Sequence, residues 1–432
     1  LDFRTGVSHR ELVWRTPAGK RVRVRSERMI SLEHRHLAVM RLEITLLDGK
    51  APVVISSQML NRQDGEDEYH VTSAALGEGA DPRKARKFDR RVLDPRLRVH
   101  HDPDDPAGGE IHLGYRCVNS GMTVACAYRH EIETPCEFSV DSSVDADQAR
   151  SDFTIEAHEG ETIRLTKFVS YHSSRGVPTE ELSLRCQRTI SRARSEGIAQ
   201  LYAEQAAWLD EFWRCSDIAI GGDDVAQQAV RWNLYQLAMA SARTHEQGIA
   251  AKALTAGGYD GHYFWDTEVY VLPFLAYTNP DAARKLLRFR YHMLDDARSR
   301  ARELDQSGAL YPWRTINGEE ASAYYAAGTA QYHINAAIVY ALERYLNATG
   351  DVDFLAREGA EMLVETARMY EDLGFYSHNG AERFHIHGVT GPDEYTTVVN
   401  DNLYTNVMAR FTMRYAARSL AFLKEWNPEA YA

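Results

Sequence analysis

The sequence predicts a multidomain β + α protein: a strand-rich first part, a helical linker and a helical last part. Three observations carry this prediction. Apolar and polar residues alternate between turn signals up to about residue 172, the hydrophobic period changes at Pro178, and helical patterns then follow one another with polar and aromatic clusters in the loops between them. At 432 residues the chain is too long for one ordinary core. The expected division is an antiparallel β-sandwich over 1–176, a helical linker over 177–222 and a helical domain over 223–432.

In the first part, RVRVR at Arg21 to Arg25 alternates strictly. His36 to Thr45, Ile111 to Val118, Met122 to Tyr128 and Thr162 to Tyr171 alternate more loosely. Asp48-Gly49, Asn119-Ser120-Gly121 and Glu159-Gly160 separate the runs as turns, which favours antiparallel pairing. Asp102 to Gly109, rich in Asp, Pro and Gly, reads as an exposed loop. Glu180 to Phe212 is one long helical pattern with few apolar stripes, suited to bridging two domains rather than to filling one core. Helical patterns follow at Asp223 to Ala242, Pro280 to Leu304, Ser322 to Thr349, Val352 to Leu373 and Asn402 to Leu423. Asn279-Pro280-Asp281 has a cap, a first-turn proline and an acid in the order a helix start requires. Helices joined by motif-bearing loops suggest a toroid of hairpins with the site at one end.

The balance of 62 acidic against 50 basic residues gives a net charge of −12, which argues against a nucleic-acid or anionic-membrane surface while leaving room for a local basic pocket that takes phosphate. No run approaches the length of a membrane span. Five cysteines without a CxxC pair fit neither a zinc site nor a disulfide framework, so a reduced, cytoplasmic protein is expected. Asn347-Ala348-Thr349 matches a glycosylation sequon but falls in a helical pattern. Leu1 opens without Met or a signal-like start, so the chain reads as cut at its beginning.

Chemistry concentrates in three clusters. Tyr259 to Glu268, YDGHYFWDTE, brings His262, Trp265, Asp266 and Glu268 together. Aromatic faces pack on the apolar faces of a pyranose while carboxylates bond its hydroxyls, so Trp265 and Asp266 are sugar-binding candidates, with His262 nearby. The bland alternative is that Asp266 caps the helix from Thr267 and Glu268 lies in its first turn. Gly391 to Tyr395, GPDEY, places two carboxylates in a tight loop before a helix start at Asn400-Asp401-Asn402. Glycoside cleavage needs a carboxylic acid that stays protonated near neutrality; Glu394 is the candidate and Asp393 its rival, otherwise a turn residue. Tyr311 to Glu320, YPWRTINGEE, offers the Trp313 face, the Arg314 fork and the acceptors Glu319 and Glu320, or else a loop with one buried Trp. Gln331, His333 and Asn335 follow at a helix start, where a substrate contact competes with ordinary packing for His333. His385-Ile386-His387 lacks a third partner at helical or loop spacing, so no metal is expected.

GHYFWDTEVYVLPF, YPWRTINGEE with QYHIN, and VTGPDEY with NDNLYTN, in this order, resemble glycoside hydrolase family 65, the inverting α-glucoside phosphorylases, over at least residues 250–410. The resemblance implies an N-terminal β-sandwich, linker helices and an (α/α)6 barrel. It makes Glu394 the general acid, places Trp265 and Asp266 on the sugar of the cleaved subsite, and puts Trp313 and Glu320 around the site. It implies inverting phosphorolysis of an α-linked glucosyl disaccharide to β-glucose 1-phosphate and a free sugar. Inorganic phosphate would be co-substrate, with no cofactor or metal, and the protein a homodimer. The family's later Lys-Gln-Ala-Asp stretch and its Ser/His phosphate site have no counterpart before Ala432, so a fragment with an incomplete barrel is expected. In AKALT, relatives often carry Gly in place of Ala253. The rival readings are an inverting α-glucoside hydrolase of trehalase or kojibiose-hydrolase type on the same scaffold, and an inactive sugar-binding fragment.

Overall fold

A computed structural model describes residues 1–61, 91–118, 120–242, 247–253, 258–322, 326–377 and 382–431. The chain forms two compact units, Leu1–Arg214 and Cys215–Ala432.

The first unit begins with strands β1 (Val7–Arg15), β2 (Arg21–Ile30), β3 (Leu37–Leu46) and β4 (Ala51–Leu60). After the 62–90 stretch come β5 (Leu93–His101), β6 (Glu110–Cys117), β7 (Thr123–Glu133), β8 (Phe138–Val144), β9 (Gln148–Ala157) and β10 (Thr162–Ser174). They build a seven-stranded sheet in the order β1-β2-β3-β10-β7-β6-β5 and a three-stranded sheet β4-β9-β8. Every pairing within both sheets is antiparallel. Alternation along each central strand feeds two faces. In β10, Ile163 and Leu165 point to a core shared with Ile55, Phe153 and Ile155 of the smaller sheet. Phe168, on the other parity, joins Ala125 and Ala127 of β7 under the helices that follow. The turns fall where expected, with Gly49, Gly121 and Gly160 at positive φ.

The single helix expected over Glu180 to Phe212 is two, α1 (Thr179–Glu196) and α2 (Ile198–Ser216). Gly197 separates them at φ 81° and ψ 154°, a backbone state open essentially only to glycine. The pair does not stand apart as a linker: Leu182, Cys186, Ile190, Ala193 and Leu201 pack into the core on the outer face of the large sheet. Gln205 of α2 bridges the chain after β2, accepting from Leu32 N at 2.8 Å and donating to Ile30 O at 3.2 Å. The helical stretch is therefore part of the first unit.

The second unit is helical. It comprises α3 (Asp224–Ser241), α4 (Leu272–Thr278), α5 (Pro280–His292), α6 (Leu294–Glu303), α7 (Ala326–Thr329), α8 (His333–Thr349), α9 (Val352–Phe354), α10 (Ala360–Leu373), a short hairpin β11 (Phe375–Tyr376) and β12 (Phe384–His385), α11 (Leu403–Trp426) and α12 (Pro428–Tyr431). Asn279 caps α5 by accepting from Ala282 N at 3.1 Å, as its Asn-Pro-Asp start predicts. The pattern expected as one helix from Pro280 to Leu304 breaks at Met293. Single π-turns precede α4 (Thr267–Val271) and α10 (Leu355–Gly359). Helix α8 is the spine of this unit, with ten of its residues buried, among them His333, Asn335, Val339 and Leu342. Its apolar faces feed the three helical cores. Among the described residues no helix is long and apolar enough to cross a membrane.

Candidate functional site

The three motif clusters meet at one end of α8, within the second unit. The Tyr259–Glu268 segment leaves a 3-10 turn at Gly261 and forms an isolated bridge at Tyr263, which exchanges backbone hydrogen bonds with Thr315 of the YPWRTINGEE loop at 2.7 and 3.3 Å. Phe264 sets its ring edge against Trp313, centroids 5.4 Å apart. His262 Nδ1 lies 2.7 Å from the Tyr259 carbonyl and 3.2 Å from Arg314 Nη2. These contacts lock the first and third clusters together.

His333 joins them to the acid loop. Its ring meets Trp265 edge-on at 4.7 Å and Tyr404 at 5.4 Å, and its Nε2 lies 3.1 Å from Gln331 Oε1. Burial pushes the imidazole down to about 4, although the nearby Gly391 carbonyl favours the protonated form. His333 is thus a neutral, buried ring between Trp265 and Tyr404, near the Gly391 carbonyl at the start of the GPDEY loop. Tyr404 was not singled out by its sequence position. Its motif, NDNLYTN, was the available signal.

The acid loop is a hairpin excursion closed at its base. Val389 and Val399 pair through backbone bonds of 3.0 and 2.8 Å, and Gly391 N donates to Thr396 O at 3.1 Å. Thr390 fastens the loop to α7, its N donating to Ala330 O at 2.9 Å and its Oγ1 to Ala326 O at 2.8 Å. Gly391 has to be small, because a Cβ there would sit 2.7 Å from both Asn402 Nδ2 and Thr396 Oγ1. The two carboxylates differ in employment. Asp393 accepts the Tyr395 N–H at 3.1 Å, the side-chain turn expected of a structural Asp. Glu394 is exposed and lends only its backbone carbonyl, to the Thr397 hydroxyl.

The remaining candidates separate by surroundings. Trp265 and Trp313 are half-buried, and Asp266 is exposed. Asp266 does not cap the helix after it: residue 266 is itself helical, at φ −55° and ψ −35°, and its side chain makes no capping bond. A cap requires an extended backbone at that residue, so its carboxylate is left facing outward. Glu268 is 2% exposed and paired with the equally buried Arg290, at 2.6 and 3.0 Å. Burial opposes the Arg290 charge, but Glu268 holds its pKa above the usual value. Glu320 accepts from Trp313 N at 2.9 Å, Arg314 N at 3.1 Å and Ser322 Oγ at 2.9 Å, and also pairs with Arg300. It therefore shapes the loop that presents Trp313. Asn335 is likewise occupied, accepting from Tyr311 N and donating to Ala309 O. Ala253 adopts φ +49°, a glycine-favouring conformation. His385 and His387 do have a third group beside them: Asp401 arrives from the far side of the acid loop.

Half-buried rings, a guanidinium and outward carboxylates gathered at the loop end of a helical domain are the ingredients of a carbohydrate-processing site. Comparison with known proteins gives the same class. Residues 1–212 match the N-terminal domain of glycosyl hydrolase family 65, and residues 231–430 match that family's central catalytic domain. The chain belongs to glycosyl hydrolase family 65. It is 39% identical to the α,α-trehalose phosphorylase of Thermoanaerobacter brockii, over all of this chain and 54% of that protein. It is 31% identical to the kojibiose phosphorylase of Escherichia coli strain K12, over 99% of this chain and 57% of that protein. A solved structure described as a putative kojibiose phosphorylase from human microbiome superposes with a TM-score of 0.82 at 25% identity, covering 98% of this chain and 52% of its own. The chain thus spans about half the length of the relatives it matches.

Proposed function

We propose that the protein cleaves an α-linked glucosyl disaccharide by inverting phosphorolysis, with Glu394 as general acid. Glu394 protonates the leaving oxygen as the anomeric C–O bond breaks, and a phosphate oxygen bonds the anomeric carbon from the opposite face. The products are β-glucose 1-phosphate and a free sugar. Phosphate takes the place of the base-activated water of an inverting hydrolase, so one catalytic carboxyl suffices. Trp265 and Asp266 hold the sugar of the cleaved subsite, His262 and Trp313 flank it, and His333 and Glu320 fix the pieces that carry those groups. The helices of the second unit contribute to an (α/α)6 barrel. The five unpaired cysteines fit a reduced, cytoplasmic setting.

The observation that carries this reading is the acid loop itself. Asp393 is consumed in the turn while Glu394 is presented, and the loop is seated through Gly391 and His333 against Trp265. The relatives named as phosphorylases supply the choice of phosphate over water.

The test is release of glucose 1-phosphate from trehalose, kojibiose, maltose and nigerose, with and without inorganic phosphate. Phosphate-dependent release is expected, and Glu394→Gln should lower kcat by about 10²- to 10⁴-fold with disaccharide binding retained. Glucose release that ignores phosphate would make the protein a hydrolase. Full activity of Glu394→Gln would remove the assignment of the acid.

A further inference from the structure

We propose that His385, His387 and Asp401 form a binding site for a divalent transition ion of the zinc class, and that the ion clamps the base of the loop carrying Glu394. The three ligand atoms lie within 4.8 Å of one another. His385 Nδ1 is 2.8 Å from Asp401 Oδ2, and His387 Nε2 is 3.8 Å from the same oxygen. Zinc bonds of about 2.0–2.2 Å place tetrahedral ligand atoms about 3.4 Å apart, so small side-chain rotations close the set.

The backbone explains why these residues meet. His385 ends β12, paired with Phe375 of β11. The rings of His385 and His387 lie 5.8 Å apart, while Ile386 between them is 1% exposed in the core beneath. Asp401 is brought opposite Ile386 by two bonds, its N donating to Ile386 O at 2.8 Å and its Oδ1 accepting from Ile386 N at 3.2 Å. The residue is at φ +52°, which Asp tolerates better than most side chains. The second bond leaves Oδ2 for the imidazoles and fixes the carboxylate, as an outer-shell partner does for a metal ligand. Phe375 lies against both rings, at 5.7 Å from His385 and 4.8 Å from His387, and restricts their orientation. Two imidazoles and one carboxylate suit zinc, with a fourth position open to water.

The position gives the ion its effect. Residues 385–387 and 401 are the two ends of the excursion whose tip is Glu394, and the pairs Ile386/Asp401 and Val389/Val399 already hold those ends together. A metal across them adds a strong cross-link at the open mouth of that hairpin and stiffens the loop without touching substrate. This holds whichever residue is the acid.

Zinc chloride titrated calorimetrically into the chelator-treated full chain tests the site, with His387→Ala and Asp401→Asn compared against wild type. Both replace partly exposed side chains, and Asn keeps the φ preference, so folding is expected to persist in at least one. Any other binding group, such as His34, Glu196 and Glu204, contributes equally to all three proteins and cancels. The wild type is expected to bind one ion more than either variant, or to bind it at least about 10-fold more tightly. In the wild type alone, zinc is expected to slow amide exchange over residues 389–399. Equal binding in all three proteins overturns the site. Variant-sensitive binding without slowed exchange overturns the clamp.

Discussion

Two adjacent carboxylates, Asp393 and Glu394, show how much the employment of a single side chain decides. Asp393 accepts the Tyr395 N–H, a bond that the oxygen of an asparagine makes equally well. Asp393→Asn is therefore expected to keep kcat within a few-fold of wild type, in contrast to Glu394→Gln. A collapse of kcat in Asp393→Asn would move the acid to residue 393. Sequence chemistry alone left these two nearly level, because the deciding contact is a backbone amide two residues away that no composition displays. Glu268 and Asp266 show the same limit in reverse. The bland alternative for Asp266, a helix cap, has no capping bond behind it, while Glu268, whose bland reading is a first-turn acid, is buried against Arg290. A fully buried arginine carries no warning in a helix rich in charge. Removing one member of such a pair strands the other, so Glu268→Ala should destabilise the helical unit by about 3–5 kcal/mol. The double replacement Glu268→Leu with Arg290→Met should recover most of that loss. Denaturant unfolding distinguishes the two, and equal losses would mean that packing, not charge, is at stake.

Among the elements, central strands of the large sheet were the legible ones. β3, β6, β7 and β10 are central strands whose alternation survives in the sequence, and all four were foreseen. β1 and β5 lie at the edges of the large sheet, and both are polar along most of their length, so they present little alternation to read. β9 does alternate, with Ala149, Ser151, Phe153, Ile155 and Ala157 buried, but alanine and serine mute the signal. The helical stretch after Pro178 was misjudged for a different reason. Its weak apolar stripe suggested a bridge, whereas small and medium residues such as Cys186, Ile190 and Ala193 suffice to pack on a sheet face lined by Ala125 and Ala127. Its break at Gly197 is testable on backbone grounds alone. A Cβ at Gly197 would meet nothing within 4 Å, so any cost of Gly197→Ala comes from φ 81° and ψ 154°, not from a clash. That cost is expected to be about 1–3 kcal/mol, seen as a lower denaturation midpoint. An unchanged midpoint would show that α1 and α2 tolerate one continuous helix.

At the scale of the whole chain, each unit keeps a neutral histidine in its interior: packing was one of the two readings open for His333 in the sequence, while His130 carried no signal there. In the sheet unit, His130 lies between Tyr128 and Phe153 at 4.9 and 5.1 Å, with Nε2 2.8 Å from Ser57 Oγ. Burial, aided by the charge of Lys167, pushes it down to about 3. Burial also brings Lys167 down to about 8. In the helical unit, His333 between Trp265 and Tyr404 is brought to about 4. An unfolded histidine titrates near 6.5. Below that pH the unfolded chain gains protons that the folded chain refuses, so folding stability falls as pH drops from about 6.5 towards 4 and 3. The slope approaches about 1.4 kcal/mol per pH unit for each histidine, giving a loss of about 2 kcal/mol for each of these two buried histidines between pH 7 and pH 5. Denaturant melts at those two pH values measure it. His130→Gln keeps a donor for Ser57 and removes one titration, so it should lessen the pH dependence of the sheet unit, where burial also brings His172 down to about 4, and leave that of the helical unit as it was. Parallel losses in wild type and variant would place the acid sensitivity elsewhere, in His172 or the surface carboxylates. For the candidate site the consequence is direct. The ring beside Trp265 and the Gly391 carbonyl stays neutral in the folded chain down to about pH 4, so between pH 6.5 and 4 acid weakens the site through the folding equilibrium and not by charging His333 in place.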